Sequence, residues 1–392
     1  MNPYIREIAH RLQDAVHHTL GYLFPINSKK VFFDSFPDYS DNSRAMSDYL
    51  ITHSEYNIYW AVNEFPSFEV DKHIHFVLKS NKYKYIYHTL TSKYLFSTHG
   101  AFPWANNRRQ MFLCFWHGTM LKRIAYMQDP VRNKYYNKSV SYYSSPSEFY
   151  VPLYAKSFNR EESDVLLTGY PRIDFLLNDN SSLEKLGINR YEYTKIVMYL
   201  PTFRQPVSGG YSDTTKNVFE DEFINFADNL SLERWNAYFK SKGILLLVKP
   251  HPSDINQLPQ SDLSNIRIIP HKILLEKDIQ LYSLLHYADA LITDFSSVYC
   301  DYLVLNRPIG FMLSDIDDYS KGRGFVFEKP LEVLPGYKIF EEKDFVDFCD
   351  EVITGKDSTL QLRADLQSMY NKYVDGCFCE RIAKMINMDI KL

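Results

Sequence analysis

The chain has 392 residues, of which 45% are hydrophobic and 23% charged, and these values exclude fibrous and disordered architectures. The net charge of -4 argues against a general nucleic-acid binder. The longest apolar runs fall far short of the roughly 20 residues that cross a bilayer, and five scattered cysteines without a CxxC pair are typical of a reduced cytoplasmic compartment.

Short apolar runs alternate with longer stretches of helical spacing, which is the pattern of an α/β protein. The predicted strands of the first half are residues 30–36, 57–62, 75–78, 94–98, 111–117 and 164–168. Those of the second half are residues 195–200, 244–249, 266–269, 290–293 and 308–313. Continuous apolar runs, each followed by a helical stretch, predict parallel strands that are covered on both faces.

The length suits two domains, and a polar stretch at residues 178–193 separates the two strand sets. We therefore predict two doubly wound, Rossmann-like lobes, residues 1–185 and 186–392, and leave open whether the last helix crosses back. Open parallel sheets bind ligands at the carboxyl ends of their strands, so we expect a ligand cleft between the lobes at these ends.

Two histidines lie at the ends of predicted strands, one in each half. His117 ends the run 111–117 and precedes Gly118, which permits close backbone approach. His251 stands between Pro250 and Pro252, which stiffen the loop after the strand 244–249. Each is a candidate acid or base, and a hydrogen-bonded surface histidine is the alternative.

Three other loops are candidate anion sites. Thr202 and Arg204 follow the strand 195–200, where a guanidinium suits a phosphate or carboxylate. Residues 293–297, Thr-Asp-Phe-Ser-Ser, precede a helix predicted to run to about Leu305. Asp294 or Ser296 can cap that helix, while its N-H groups and the hydroxyls of Ser296 and Ser297 face an anion. Residues 321–324 form a basic turn that contains Arg323, but Phe327 breaks the GxGxxG dinucleotide fingerprint.

Two further patterns leave alternatives open. Asp315 and Asp317 form an Asp-x-Asp that can hold Mg2+ or Mn2+, although such acidic loops are more often solvated. Residues 108–138 carry seven basic residues, among them Arg108, Arg109, Lys122 and Arg123, and one acidic residue. This stretch predicts an anionic partner, either phosphates or a lipid surface, and solvated helix faces are the alternative.

Several motifs, taken together and in order, resemble the CDP-glycerol glycerophosphotransferase family, which builds teichoic acids and related capsule polymers. They are Asn42-Ser43-Arg44-Ala45, Trp116-His117-Gly118-Thr119 with Leu121-Lys122, Thr168-Gly169-Tyr170-Pro171-Arg172-Ile173-Asp174, Leu200-Pro201-Thr202-Phe203-Arg204, Lys249-Pro250-His251-Pro252, Thr293-Asp294-Phe295-Ser296-Ser297, Leu305-Asn306-Arg307-Pro308 and Arg323-Gly324-Phe325. Leu200 and Phe203 replace the commoner Ala and Trp, and the chain lacks the long extra N-terminal region of the large polymerases.

The resemblance implies a glycosyltransferase-B-like fold without a metal or other cofactor. It implies that CDP-glycerol binds the C-terminal lobe and a lipid-linked acceptor lies near the N-terminal lobe, on a protein attached peripherally to the cytoplasmic face of the membrane. In this interpretation an acceptor hydroxyl attacks the glycerol-bearing phosphate and CMP leaves. The alternatives are a ribitol-phosphate transferase, a nucleotide-sugar glycosyltransferase or epimerase of the same fold and, more distantly, a non-catalytic membrane adaptor.

Residue roles follow from the same interpretation. His117 is the expected general base, and His251 is the second catalytic histidine beside the diphosphate. The expected donor-binding residues are Thr202, Arg204, Lys249, Asp294, Ser296, Ser297 and Arg323. The residues assigned to the acceptor or the membrane are Arg108, Arg109, Lys122 and Arg123.

Overall fold

The computed structural model describes residues 16, 19, 21–128, 130, 138–178, 180–201, 224, 226, 228–250, 263–314, 316 and 325–391. The chain divides into two compact units. The first unit comprises Met1–His117, Ala125–Asp174 and Asp375–Leu392, and the second comprises Gly118–Ile124 and Phe175–Val374.

The structure divides the chain after Asp174. The sequence predicts the boundary between residues 185 and 186. The segment that follows Asp174 belongs to the second unit because its polar groups are satisfied there. The carbonyl of Leu176 is hydrogen bonded to Nδ1 of His286 at 3.0 Å, and Nδ2 of Asn180 donates to the carbonyl of Ser283 at 3.0 Å.

The first unit is built on a parallel sheet of seven strands in the order β3-β2-β1-β4-β5-β6-β7. The strands are β1 Asn27–Asp34, β2 Asn57–Val62, β3 Ile74–Leu78, β4 Ser92–Ser97, β5 Met111–Cys114, β6 Tyr142–Ser145 and β7 Val165–Leu167. Its helices are α1 Asp41–His53, α2 Lys82–Thr91, α3 Val151–Phe158, α4 Ile173–Leu177, which ends in the second unit, and the C-terminal helix Phe378–Met385.

The second unit has a parallel sheet of six strands in the order β10-β9-β8-β11-β12-β13. These strands are β8 Lys195–Leu200, β9 Ile244–Val248, β10 Ile266–Ile268, β11 Ala290–Thr293, β12 Ile309–Met312 and β13 Tyr337–Ile339. Its helices are α5 Ser182–Lys185, α6 Asn229–Lys242, α7 His271–Glu276, α8 Leu281–Leu285, α9 Val298–Tyr302, α10 Glu342–Thr354 and α11 Leu360–Tyr370. The C-terminal helix of the first unit, Phe378–Met385, is numbered α12.

Both sheets are buried on their two faces, which explains the apolar runs in the sequence. All five residues of β9 are buried, as are Val31, Phe32 and Phe33 of β1. Strands buried on both faces cannot alternate apolar and polar side chains, since neither face meets water. Every predicted strand is confirmed, and the prediction of an α/β fold with parallel sheets is correct.

Helix ends follow from local side-chain chemistry. The carboxylate of Asp228 accepts hydrogen bonds from the backbone N-H groups of Leu230 and Ser231, which begins α6. Helix α6 ends at Gly243, whose φ of 66° is a left-handed conformation that favours glycine. In α10, Glu341 and Asp344 form a reciprocal capping box.

The C-terminal helix α12 packs on the first unit through the Thr168–Asp174 motif. The Asp174 carboxylate accepts hydrogen bonds from the backbone N-H groups of Phe378 at 3.2 Å and Cys379 at 3.0 Å. Gly169 has a φ of 71°, and a Cβ at this position would overlap the ring of Phe378. The motif therefore joins residues that are more than 200 positions apart in the sequence.

In the part of the chain that the structure describes, no helix combines the length and the apolar character needed to cross a bilayer.

Candidate functional site

Polar side chains gather at the carboxyl edge of the first sheet. Asp34 ends β1, and Lys79, His99 and His117 follow β3, β4 and β5. The strand order reverses between β1 and β4, and ligands of open parallel sheets bind at such a reversal. The edge therefore has the position of a ligand site.

The ring of His117 is held by its neighbours but exposed to solvent. Its Nδ1 lies 3.3 Å from the carbonyl oxygen of Thr98. A carbonyl only accepts hydrogen bonds, so Nδ1 carries the proton in this contact and the lone pair of the neutral ring lies on Nε2. The Trp116 ring lies against it, with the two ring centroids 4.1 Å apart. This tautomer is the one that a general base acting through Nε2 requires.

Trp116 adopts an uncommon backbone conformation directly before His117. Its φ is 62°, in the left-handed region that costs a residue with a side chain about 1–2 kcal/mol. The buried side chain of Asn42 compensates, because its Nδ2 donates to the Trp116 carbonyl at 3.1 Å. Residues with such strain cluster at functional sites, which agrees with the prediction of His117 as a site residue.

An acid–base cluster beside His117 was missed in the sequence. Lys79 Nζ lies 2.7 Å from Asp34 Oδ1 and 3.1 Å from Asp38 Oδ1, while His99 Nε2 lies 3.8 Å from Asp34 Oδ1. Burial raises the pKa of Asp34 to about 6, although the Lys79 charge opposes this. Burial lowers the pKa of Lys79, but the Asp34 carboxylate outweighs it and the pKa is raised. Lys79 and His99 each follow a predicted strand, the same signal that identified His117.

The second sheet reverses its strand order between β8 and β11. Lys249, Pro201 and Asp294 directly follow the neighbouring strands β9, β8 and β11. Thr293 Oγ1 donates to the Leu200 carbonyl at 2.7 Å, which ties the ends of β11 and β8 together. The structure thus places Lys249 and the Thr293–Ser297 turn at one sheet edge.

The turn after β11 differs in one detail from the prediction. Helix α9 begins at Val298 and continues as a 3-10 turn to Leu305, so the predicted extent is correct. Its N-cap is Ser297, where Asp294 or Ser296 had been predicted, and the Ser297 hydroxyl makes no capping hydrogen bond. In the described part of the chain neither serine hydroxyl has a hydrogen-bond partner, and both residues are partly exposed. Both hydroxyls are thus available to a ligand.

Lys249 is a half-buried cation that has no matching anion in the part of the chain that the structure describes. Burial is the cause that lowers the pKa of its ammonium group to about 8. Among the described residues no carboxylate pairs with it, whereas Lys79 at the other sheet edge contacts two. A bound anion would supply the missing charge and raise this pKa again.

Four predicted site residues, Thr202, Arg204, His251 and Arg323, lie outside the described residues. Asp315 and Asp317, the alternative metal site, lie outside them as well. Within residues that the structure describes, His, Cys, Asp and Glu side chains form no cluster of three that suits a metal ion.

The basic stretch is divided between the two units. Arg108 and Arg109 belong to the first unit, and Lys122 and Arg123 to the second. Arg108 and Arg123 are exposed. Arg109 instead donates to the carbonyl oxygens of Gly21 and Phe24, and Lys122 forms a backbone bridge to Phe325. Neither unit by itself therefore contains all four basic residues.

Comparison with known proteins identifies the family. The family model of the CDP-glycerol:poly(glycerophosphate) glycerophosphotransferases matches residues 16–388. The chain is 30% identical to the teichoic acid poly(glycerol phosphate) polymerase of Bacillus subtilis over 78% of its own length, but spans only 41% of that protein. It is 24% identical to the teichoic acid glycerol-phosphate transferase of Staphylococcus aureus over 97% of this chain and 99% of that one.

Other similarities extend this picture. The chain is 26% identical, over 65% of its length, to the ribitol-phosphate polymerase TarK of Staphylococcus aureus, 46% of which is covered. The structure of the wall teichoic acid polymerase TagF matches with a TM-score of 0.74 at 23% identity, covering 98% of this chain and 95% of that one. The fold is therefore the two-lobe, glycosyltransferase-B-like α/β fold that the motifs implied. The resemblance is confirmed, and the chain belongs to the CDP-glycerol:poly(glycerophosphate) glycerophosphotransferase family.

Proposed function

We propose that this protein transfers glycerol phosphate from CDP-glycerol to a hydroxyl group of a teichoic acid or capsule acceptor and releases CMP. One observation carries the proposal within the family. The second sheet ends in the half-buried Lys249 and in two serine hydroxyls, and none of these three side chains has a partner among the described residues. This combination suits a diphosphate, because phosphate oxygens accept hydrogen bonds and neutralise a desolvated cation.

In the proposed reaction the acceptor oxygen attacks the β-phosphorus, which bears glycerol. The new phosphorus–oxygen bond forms as the bond to the bridging oxygen breaks, and this oxygen leaves with CMP. The hydroxyl proton passes to Nε2 of His117, whose Nδ1 already donates to Thr98. Lys249, Ser296 and Ser297 stabilise the charge that develops on the leaving phosphate.

The remaining roles rest on the family motifs. Asp294, Thr202, Arg204, His251 and Arg323 complete the donor site of the second unit, with His251 beside the diphosphate. The reaction needs no metal or other cofactor, because Lys249, Arg204 and the hydroxyls supply the positive potential. Activity in the presence of EDTA tests this part, and loss of turnover that Mg2+ restores contradicts it.

The acceptor is proposed to be lipid-linked, with the enzyme on the cytoplasmic face of the membrane. Arg108 and Arg123 are exposed and therefore the better candidates for contact with anionic lipid, while the Arg109 guanidinium is bonded within the fold and Lys122 is half-buried. Each exposed basic residue contributes about 1 kcal/mol near such a surface. Flotation with vesicles containing anionic lipid should weaken in Arg108→Glu/Arg123→Glu, and unchanged binding contradicts the assignment.

A ribitol-phosphate transferase is the second candidate, favoured by the similarity to the ribitol-phosphate polymerase. The test supplies CDP-glycerol or CDP-ribitol with a synthetic lipid-linked disaccharide, follows CMP release and weighs the product by mass spectrometry. Turnover with CDP-glycerol supports our proposal, and turnover with CDP-ribitol alone supports the second candidate. If neither donor gives CMP release, both candidate functions are contradicted. A sugar added to the acceptor from a nucleotide sugar indicates a glycosyltransferase.

A further inference from the structure

Two residues from distant parts of the first unit, Asn42 and Arg172, contact the backbone of the Trp116–His117 segment. One guanidinium nitrogen of Arg172, Nη1, donates to the His117 carbonyl at 3.3 Å and to the Asp41 carboxylate at 2.9 and 3.2 Å. Asn42 bridges the same parts of the chain, because its Nδ2 donates to the Trp116 carbonyl and its Oδ1 accepts the backbone N-H of Arg172 at 3.1 Å. Arg172 and Asn42 are buried.

We propose that Asp41, Asn42 and Arg172 are positioning residues for His117, and that the Asp41–Arg172 ion pair also sets the proton affinity of its imidazole. The inference rests on the proposed function, in which His117 is the general base. Asn42 and Arg172 fix two successive carbonyls, and Thr98 fixes Nδ1 of the ring. A base constrained at three points keeps Nε2 in one orientation toward the acceptor hydroxyl.

The electrostatic part follows from the charges that face His117. Arg172 contacts its carbonyl, and the Asp41 carboxylate lies against the same guanidinium. From the β4 side His99 faces His117, and burial together with the Lys79 charge lowers the pKa of His99 to about 4. His99 is therefore neutral near pH 7. Among the described residues, the Arg172–Asp41 pair places one positive and one negative charge against the His117 backbone.

Opposite substitutions should therefore shift the pH dependence in opposite directions. The base acts only when neutral, so kcat falls below the pKa of His117. Arg172→Gln leaves the Asp41 charge, which favours the imidazolium. The acidic limb of the profile of kcat against pH, where kcat falls, should therefore move to higher pH. Asp41→Asn leaves the Arg172 charge, so this limb should move to lower pH. We expect about 0.5–1 pH unit in each direction, a smaller kcat at the plateau, and near cancellation in the double variant.

The experiment measures kcat against pH at saturating CDP-glycerol and donor affinity by titration calorimetry. Donor affinity should stay unchanged, since none of the three residues belongs to the second unit. Arg160→Gln is the matched control, because Arg160 also donates to two backbone carbonyls of the first unit, those of Lys138 and Val140 at 2.9 Å. This control should lower stability without moving the acidic limb.

If Arg172→Gln does not fold, Arg172→Lys keeps the charge and loses the planar geometry, so kcat should fall with the limb in place. The inference is overturned if the acidic limb stays fixed in the Arg172 and Asp41 variants, or if it moves in the same direction in both. These residues would then have a merely structural role. Failure of the proposed function is distinguishable, because it appears as an absence of CMP release from CDP-glycerol in the unsubstituted protein, and full activity in His117→Ala would contradict the role of His117 as base.

Discussion

The two sheets share one strand order around their reversal points but carry different chemistry at their carboxyl edges. The first edge holds acids and bases, Asp34, His99 and His117, while the second holds a cation and hydroxyls, Lys249, Ser296 and Ser297. The lysines show the contrast best. Lys79 is paired with carboxylates and its pKa is raised, whereas Lys249 has no carboxylate partner among the described residues and its pKa falls to about 8. The fold fixes where a ligand group can lie, and the residues after each strand decide what it can be.

The largest effect is expected at the first edge. His117→Ala should lower kcat by about 10²- to 10⁴-fold, because the acceptor hydroxyl loses the group that takes its proton. CDP-glycerol affinity, measured by titration calorimetry, should stay within error, since His117 is assigned to proton transfer. A large loss of donor affinity would contradict the separation of roles between the two edges.

The second edge should respond in the opposite way. The double substitution Ser296→Ala/Ser297→Ala should weaken CDP-glycerol binding, because each lost charge-assisted hydrogen bond costs about 1.5–3 kcal/mol. Thr293→Val is a useful comparison, since its hydroxyl is bonded within the sheet, to Leu200. It should lower stability more than affinity. Unchanged donor affinity in the double variant would remove the serines from the donor site.

The two lysines provide a comparison of stability. Lys79→Met leaves the Asp34 carboxylate buried without its partner and should lower the free energy of unfolding by about 3 kcal/mol. Lys249→Met removes a desolvated charge that has no carboxylate partner among the described residues, so it should raise the free energy of unfolding by about 2 kcal/mol at pH 7, while donor binding weakens. Denaturant unfolding of both variants measures these differences. A loss of stability in both would mean that Lys249 has a partner anion.

The stability effect at Lys249 should depend on pH in one direction. The pKa of Lys249 is about 8 in the folded protein and 10.5 ordinarily. The charged ammonium group therefore lowers the free energy of unfolding by its full amount below pH 8, and this loss of stability disappears as the pH rises toward 10.5. The advantage of Lys249→Met should therefore shrink between pH 7 and pH 9.5.

The strands were predictable because parallel sheets demand long apolar runs. Strand β6 was missed since its sequence, Tyr-Tyr-Ser-Ser, is polar, although Ser144 and Ser145 are fully buried. Strand β13 was missed because it has three residues and contains a lysine.

Within the site, His117 and the turn after β11 were predictable because each follows an apolar strand, whereas Lys249 was identified through the family motif. The contacts of Arg172 and Asn42 were not, because they join residues 131 and 74 positions apart. Such distances carry no local pattern. The resemblance marked both residues as parts of motifs, and the structure supplied their contacts.

The attachment of α12 has a consequence for synthesis on the ribosome. The second unit consists of Gly118–Ile124 and Phe175–Val374, so its chain is complete before Phe378 and Cys379, whose N-H groups donate to the Asp174 carboxylate, are synthesised. Domains usually fold in the order in which they are made. Here the unit that begins first finishes last, because α12 is added after all seven strands of its sheet and after the whole second unit. A truncated chain that ends at residue 374 should therefore carry a protease-resistant second unit and a first unit that remains open to cleavage.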